Sequence, residues 1–301
     1  LTGNRLHIKF NIEGDILKRT WKFAAGMFLI AFVASMNTQL DKFFISLYLP
    51  IRVLGYYTLS VSLAMALVVV VNPISTALLP RFTALYSIGK VKEATKLFQT
   101  SCIYISILVF SLMSNMILNA EELLWVWTGD IEIAQRASVY LPIAAVSMAM
   151  LAVSIMPYNI AIANGYTKLN NIIGISSLVI TIPGYLLVTK HFDAIGAAIV
   201  FCIVQTVITL VYIFFINKMF IQKANVISEY LNVIILPLLI SLLFAFNFDR
   251  IEIEFEKDRV ITFIIISGFT VLTLIFTFLT LKVIKQCLNN IKINLSKSNN
   301  S

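Results

Sequence analysis

Charge is scarce in this chain: of 301 residues only 13% are Asp, Glu, Lys or Arg, about half the share found in soluble domains. Hydrophobic residues make up 59% and the mean hydropathy is +0.90, so no soluble class fits. Histidine is nearly absent. His7 and His191 lie far apart, without HExxH or Cys-His company, which argues against a metal centre. The three cysteines, Cys102, Cys202 and Cys287, have no paired spacing for a disulfide framework or a zinc site. The first two fall in apolar runs and read as packing residues. There is no GxxxxGK[ST] phosphate loop, so transport by this chain would draw on a gradient or on the substrate's own, and no cofactor is expected. The net charge of +8 raises nucleic acid as a partner, but the basic residues are scattered over short connections instead of clustering on one face, which argues against it.

What the chain does have is apolar runs, each long enough to cross a hydrocarbon core that needs roughly 20 helical residues. They place eight spans, at about 23–47, 55–79, 97–118, 137–163, 172–188, 195–216, 230–246 and 260–281. The expected fold is all-α, a polytopic membrane helix bundle. It divides into a basic flank at 1–22, six spans in 23–216, two more in 217–281 and a basic tail at 282–301. Within the sixth span, Gly196-Ala197-Ala198 supplies a small surface for close helix approach. Pro80 is expected to open a short basic loop to Lys96, and NAEELLWVWTGD to form an acidic outer turn with interfacial indoles. Sixteen Lys/Arg fall on one side of this arrangement and six on the other, with Lys42 inside a span. The positive-inside bias therefore puts both ends in the cytoplasm.

The segment Ser35 to Pro50, SMNTQLDKFFISLYLP, places an amide, a carboxylate and an ammonium inside the first span. Asn37 and Asp41 are four apart and share a helix face, with Thr38 and Lys42 one position round and Gln39 to the side. Ionised residues in a span mark a bundle interior or a watery cavity. Asp41 reads either as a carboxylate lining a transport cavity or as a structural partner, for instance of Arg52. Lys42 lines the same cavity or snorkels to the interface. Pro73, Pro142 and Pro157 are candidate hinges, since interrupted helices flank transporter sites. The amides of Asn115, Asn159 and Gln205 can serve a sugar or join helix to helix.

The runs LDKFFISLYLPIRVLGYYTLSVSLA, NPISTALLPRFTALYSIGKVKEATKLF and LLWVWTGD resemble the second half of Wzx-type oligosaccharide flippases of the multidrug/oligosaccharidyl-lipid/polysaccharide exporter superfamily. The resemblance is carried by Asp41-Lys42, Gly55-Tyr56, Leu79-Pro80 and Gly89-Lys90, in that order, and spans roughly Trp21 to Lys218. It implies two six-helix lobes around a central cavity, of which this chain would be the second lobe plus a terminal helix pair. A first residue of Leu1 instead of Met agrees with a fragment lacking the first lobe, which would then be a required partner. The implied activity is flipping of undecaprenyl-diphosphate-linked oligosaccharide across a bacterial inner membrane for O-antigen or other surface polysaccharide. Lys42, Arg52 and Arg81 would then meet the diphosphate, Asn37, Gln39 and Asn159 the sugar hydroxyls, and Asp41 would hold a neighbouring cation or titrate. A multidrug antiporter would show a Gly-Gln-rich stretch after the second span, which PRFTALYSIGK lacks. A peptidoglycan-precursor flippase is a closer alternative. A membrane enzyme of the same pathway would need a larger outer loop than those around Glu121 and Glu254, so no enzymatic activity is expected.

The orientation can be checked with single cysteines in a Cys-less background and an impermeant thiol reagent on intact cells. Asp130→Cys is expected to label and Lys92→Cys to stay unlabelled; the reverse pattern would invert the bundle.

Overall fold

The computed structural model describes residues 14–221, 228, 230–249 and 258–298. The expectations for Arg5, Lys9, Lys223, Arg250, Glu254, Lys257 and Ser301 fall outside these residues. The described chain is an all-α polytopic membrane helix bundle. Its elements are α1 (Gly14–Tyr48), α2 (Ile51–Ala64), α3 (Ala66–Ser87), α4 (Val91–Leu118), α5 (Ala120–Thr128), α6 (Ile131–Ser138), α7 (Leu141–Ala163), α8 (Thr167–Met219), a π-helical turn at Leu231–Ile235, α9 (Leu236–Asp249) and α10 (Arg259–Ser298). Among the described residues six stretches are long and apolar enough to cross a membrane, with Leu231–Asn247 a shorter apolar helix.

The 53 residues of α8 would reach about 80 Å if straight, far beyond one hydrocarbon core of about 30 Å. The helix is in fact broken at Phe192 (φ −126°, ψ 20°) and Asp193 (φ 53°, ψ −155°). Asp193 is the one non-glycine residue with positive φ among those described, a conformation that costs energy and persists only where the surroundings enforce it. The enforcement is visible in the glycines. A Cβ on Gly184 would stand 2.9 Å from Val200, and one on Gly196 would stand 2.6 Å from Val188. Both pairs are symmetric about residue 192, so the two arms of α8 fold back on each other as an antiparallel hairpin. Ala197 and Ala198, which follow Gly196, are buried as well. The arms correspond to the fifth and sixth spans read from the sequence.

Two expectations are corrected. The second span does not begin at Gly55 and end at Leu79 with a loop opening at Pro80: the helical stretch runs from Ile51 to Ser87, divided at Met65, with Pro73 and Pro80 both inside α3. A proline removes one backbone donor and displaces one carbonyl. Pro73 and Pro80 both lie on the exposed side of the helix, where the distortion presses on no neighbour. Glycine ends the helix instead. Gly89 at φ +72° lets its N–H donate to Tyr86 O (3.1 Å) and Lys90 N–H to Leu85 O (2.9 Å), a Schellman closure. Gly165 closes α7 in the same way. The supposed acidic turn is two short helices, α5 and α6. Gly129 stops the first in the left-handed region, and Asp130 caps the second by accepting from Ile133 N–H at 3.0 Å, a favoured N-cap arrangement.

The bundle is ordered by which helices touch. α1 packs along the first part of α8, α8 along α7, α7 along α3 and α4, and α4 along α9 and α10, whereas α1 and α3 barely meet. Contacts at Gly26 with Thr167 and at Val33 with Gly174 rise in step, so α1 and the first α8 arm run parallel. The terminal pair α9 and α10 docks on α4 through Ser114 Oγ to Ser241 Oγ (3.1 Å) and Asn115 Nδ2 to Thr273 Oγ1 (3.2 Å). Its own helices are tied by stacking of Phe244 on Phe276 with centroids 4.2 Å apart. Arg259 clasps the end of α5, donating to Val126 O at 2.6 Å and to Trp127 O at 3.3 Å.

Gly196→Leu should force the α8 arms apart and lower stability by about 1–3 kcal/mol, the usual range for overpacking. Gly55→Ala, at a helical position with open space around it, should be neutral or slightly stabilising. Thermal unfolding of the two variants in detergent is the check, and equal melting temperatures would refute the hairpin contact.

Candidate functional site

Asp41 lies on the inward face of α1 and is only 2% exposed. Its Oδ2 accepts a hydrogen bond from the Tyr57 hydroxyl at 2.7 Å. The turn between α1 and α2 creates this pair, because residues 41 and 57 are equidistant from Leu49. Asp41 Oδ1 has no partner among the described residues, and neither does the hydroxyl of Tyr185 from the first α8 arm. Asp41 acts electrostatically on both tyrosines, and Tyr185 packs on Phe44 with ring centroids 5.6 Å apart. The result is a buried carboxylate ringed by phenols from α2 and α8. The aromatic contact continues outward, since Tyr57 meets Tyr140 edge to face at 5.9 Å. Burial raises the hydroxyl pKa of Tyr140, and the charge of Asp193 at the α8 bend adds to the rise.

Lys42, one residue on, points the other way. Its Nζ donates to Gln39 Oε1 at 3.3 Å, and the two stand on the outer side of α1 with Ser35 and Ser46. The spacing 35, 39, 42, 46 makes one stripe along the helix. Arg52 is exposed at the start of α2 and Arg81 in the second half of α3. Arg52 forms no ion pair with Asp41; the ion pairs among the described residues are Lys90 with Glu93 and Arg136 with Glu132. Exposed Asn72 and Thr76 put a second, shorter polar strip on α3.

Asn37 faces a chamber of about 240 Å³ between α1, α7 and both arms of α8, whose polar lining includes Ser154, Tyr158, Asn170, Ser177 and Gln205. Asn37 Nδ2 donates to Val33 O (3.1 Å) and weakly to Gly174 O (3.5 Å), while Ser177 Oγ donates to Asn37 Oδ1 (3.2 Å). Asn159, expected to meet sugar, does not line this chamber. It is buried and donates to Ser75 Oγ at 2.6 Å, joining α7 to α3 two residues beyond Pro157 and Pro73 respectively. Pro157 is interior to α7 and buried, and the helix turns just beyond the two hinge candidates are joined by the contacts of Asn159 Nδ2 with Ser75 Oγ and, more weakly, Ser75 O (3.4 Å). Pro142 lies in the first turn of α7, where a missing N–H breaks no helical bond; it starts the helix instead of hinging it.

Sequence reasoning placed Asn37, Gln39, Asp41 and Lys42 together, and they do share one stretch of α1, but they divide between its inner and outer sides. It missed Tyr57, Tyr185 and Asn170. The symmetry about Leu49-Pro50 is a signal for Tyr57; nothing in the sequence pointed to Tyr185 or Asn170.

A helical membrane bundle with a buried carboxylate and polar stripes on membrane-length helices has the construction of a multi-pass transporter. The profile of the MatE family matches residues 26–187, from the early turns of α1 into the first arm of α8, and the chain belongs to that family of transporters within the multidrug/oligosaccharidyl-lipid/polysaccharide exporter superfamily. No curated protein and no solved structure matches the chain.

Tyr57→Phe would leave Asp41 Oδ2 buried and unpaired, at a cost of about 1–3 kcal/mol. With Asp41→Asn already in place the same change should cost measurably less, because the acceptor is no longer charged. A double-mutant cycle on thermal unfolding reads the coupling, and strict additivity would mean that the carboxylate's charge adds nothing to the bond.

Proposed function

We propose that this chain supplies one wall of a path that flips lipid-linked oligosaccharide across a bacterial inner membrane. The observation that carries the reading is the Gln39–Lys42 pair on the outer side of α1. Hydroxyls such as Thr38, Ser46, Thr76 and Thr83 are satisfied by their own helix backbones and tolerate lipid. An ammonium and an amide do not, and at membrane depth such groups face water-filled cavities or protein. Since α1 and α3 barely touch, the stripes on both helices flank an opening that a second lobe would close from the opposite side. Lys42, Arg52 and Arg81 then stand at three levels of that wall, as cations for a diphosphate passing while its polyprenyl tail stays in lipid. Gln39 offers hydrogen bonds to sugar hydroxyls. Asp41, bonded to Tyr57, holds α1 against α2 and α8 and so sets where Lys42 projects. Both ends of the chain are cytoplasmic in this scheme.

The test is surface polysaccharide from a flippase-deficient strain carrying the full-length protein at matched membrane abundance. Lys42→Ala should lower output severalfold and Lys42→Arg should retain most of it, since a phosphate contact needs mainly positive charge. Asp41→Asn should lower output as well. Wild-type output from both Lys42→Ala and Asp41→Asn would leave these residues structural, and drug resistance in place of polysaccharide would move the substrate to small amphiphiles.

A further inference from the structure

Along the seam between α1 and the first arm of α8, hydrogen bonds hold one half and not the other. In the half nearer Gly26, Asn171 Nδ2 donates to Gly26 O at 3.3 Å and Ser177 Oγ to Asn37 Oδ1 at 3.2 Å. In the other half the hydroxyls of Thr181, Tyr185 and Thr189 are buried at successive turns of α8, and none has a partner among the described residues. Residues four apart share a helix face, so the shortfall belongs to a stretch of the helix and not to one side chain. On α1, Asp41 Oδ1 is buried and unpaired as well. We propose that α1 and this arm have a second packing, in which the Tyr185 hydroxyl donates to Asp41 Oδ1 and latches the open half of the seam.

Buried polar atoms are almost always paired, and one bond between this donor and this acceptor satisfies both. The two groups are neighbours. Asp41 acts electrostatically on Tyr57 and Tyr185, and Tyr185 on Tyr57, while the Tyr185 ring lies against Phe44, one turn after Asp41 on the same face of α1. That ring contact is tilted, with 42° between the planes, so it gains neither the stacked nor the edge-on arrangement that aromatic pairs favour. The other end of the seam has no such freedom. A Cβ on Gly26 would stand 2.8 Å from Thr167, and one on Gly174 would stand 2.8 Å from Val33, so the helices already touch there and that end acts as the pivot. The chamber of about 240 Å³ leaves α1 loosely backed on the side of α7, which gives a tilt the space that a close-packed interior would deny it. In the latched packing one carboxylate accepts from Tyr57 of α2 and from Tyr185 of α8, within the capacity of its two oxygens. Asp41 then joins three helices instead of two, and α1 is held at both ends of the seam. The latch is independent of which substrate the path carries.

The experiment uses the full-length protein in lipid nanodiscs, in a Cys-less background, with pairs of spin labels whose separation is read by double electron–electron resonance. One pair, Leu47→Cys with Leu187→Cys, spans the open half of the seam; the other, Leu29→Cys with Ile172→Cys, spans the pivot end, and all four positions are exposed. The first pair should show two distances and the second a single one. Tyr185→Phe keeps the ring on Phe44 and removes only the hydroxyl, so it should lower the shorter-distance population of the first pair about five- to tenfold, as expected for loss of one buried hydrogen bond, and leave the second pair unchanged. Tyr57→Phe, which removes the other phenol from the same carboxylate, should keep that population. Melting temperature supplies a second reading. A hydroxyl that never finds a partner is a burden whose removal stabilises, whereas a latch that forms makes Tyr185→Phe melt lower than the parent. A single distance for the first pair, a shorter population that survives Tyr185→Phe, or a higher melting temperature for that variant would overturn the proposal.

Discussion

Hydrocarbon offers no hydrogen-bond partner, so every polar side chain in a membrane-length helix must find one within the protein or be left against water. Most of the architecture follows from how this chain meets that constraint. Many serines and threonines bond back to their own helices, and a few, such as Ser60 and Thr209, also reach a neighbouring one. Asparagines reach across: Asn115 to the terminal pair, Asn159 to α3, Asn171 to Gly26 O. Each such bond contributes modestly, about 0.6 kcal/mol in membrane proteins, so their effect lies more in register than in strength. They state which helix lies next to which, and at what height. Asp41 and Tyr57 form the costliest of these ties to disrupt, because a carboxylate deprived of its donor has no solvent to turn to.

Close packing supplies what polar ties do not. The α1–α8 seam depends on Gly26 and Gly174 meeting Thr167 and Val33, and the α8 hairpin on Gly184 and Gly196 meeting Val200 and Val188. Without a hydrophobic driving force between helices in lipid, such contacts carry association through dispersion and fit. The unusual backbone at Asp193 belongs to the same account, since two arms held along their length leave the bend between them little choice of conformation.

Much of this fold is legible in the sequence because the signals are long and redundant. Eight apolar runs announce eight helical segments, and even the 53-residue α8 divides where the polar residues Lys190, His191 and Asp193 interrupt its hydropathy. Boundaries were less legible wherever a single residue type was given too much weight. Pro80 looked like a terminator, but a membrane-exposed helix surface tolerates the lost donor, and the left-handed glycine nine residues later is what stops the helix. Pro142 looked like a hinge only because its span was started too early. In the site, the four-residue spacing of Asn37 and Asp41 correctly predicted a shared inner face. The partners Tyr185 and Asn170 come from an element more than a hundred residues away, and no local pattern encodes which face of α8 meets α1.

The adjacency of Asp41 and Lys42 can now be understood as geometry instead of as an ion pair. Neighbouring residues on an α-helix diverge by about 100°, so an acidic and a basic residue in succession project in clearly different directions. Here the carboxylate turns into the bundle and accepts from Tyr57, while the ammonium turns out and donates to Gln39. Were the order of charges shifted by one residue, the lysine would be buried among Tyr57 and Tyr185 with no acceptor nearby except the phenols, and the outer side of α1 would present an anion. The dipeptide thus fixes two things at once, the rotation of α1 about its own axis and the sign of charge on its outer side. On the proposed path that sign is the one a diphosphate requires.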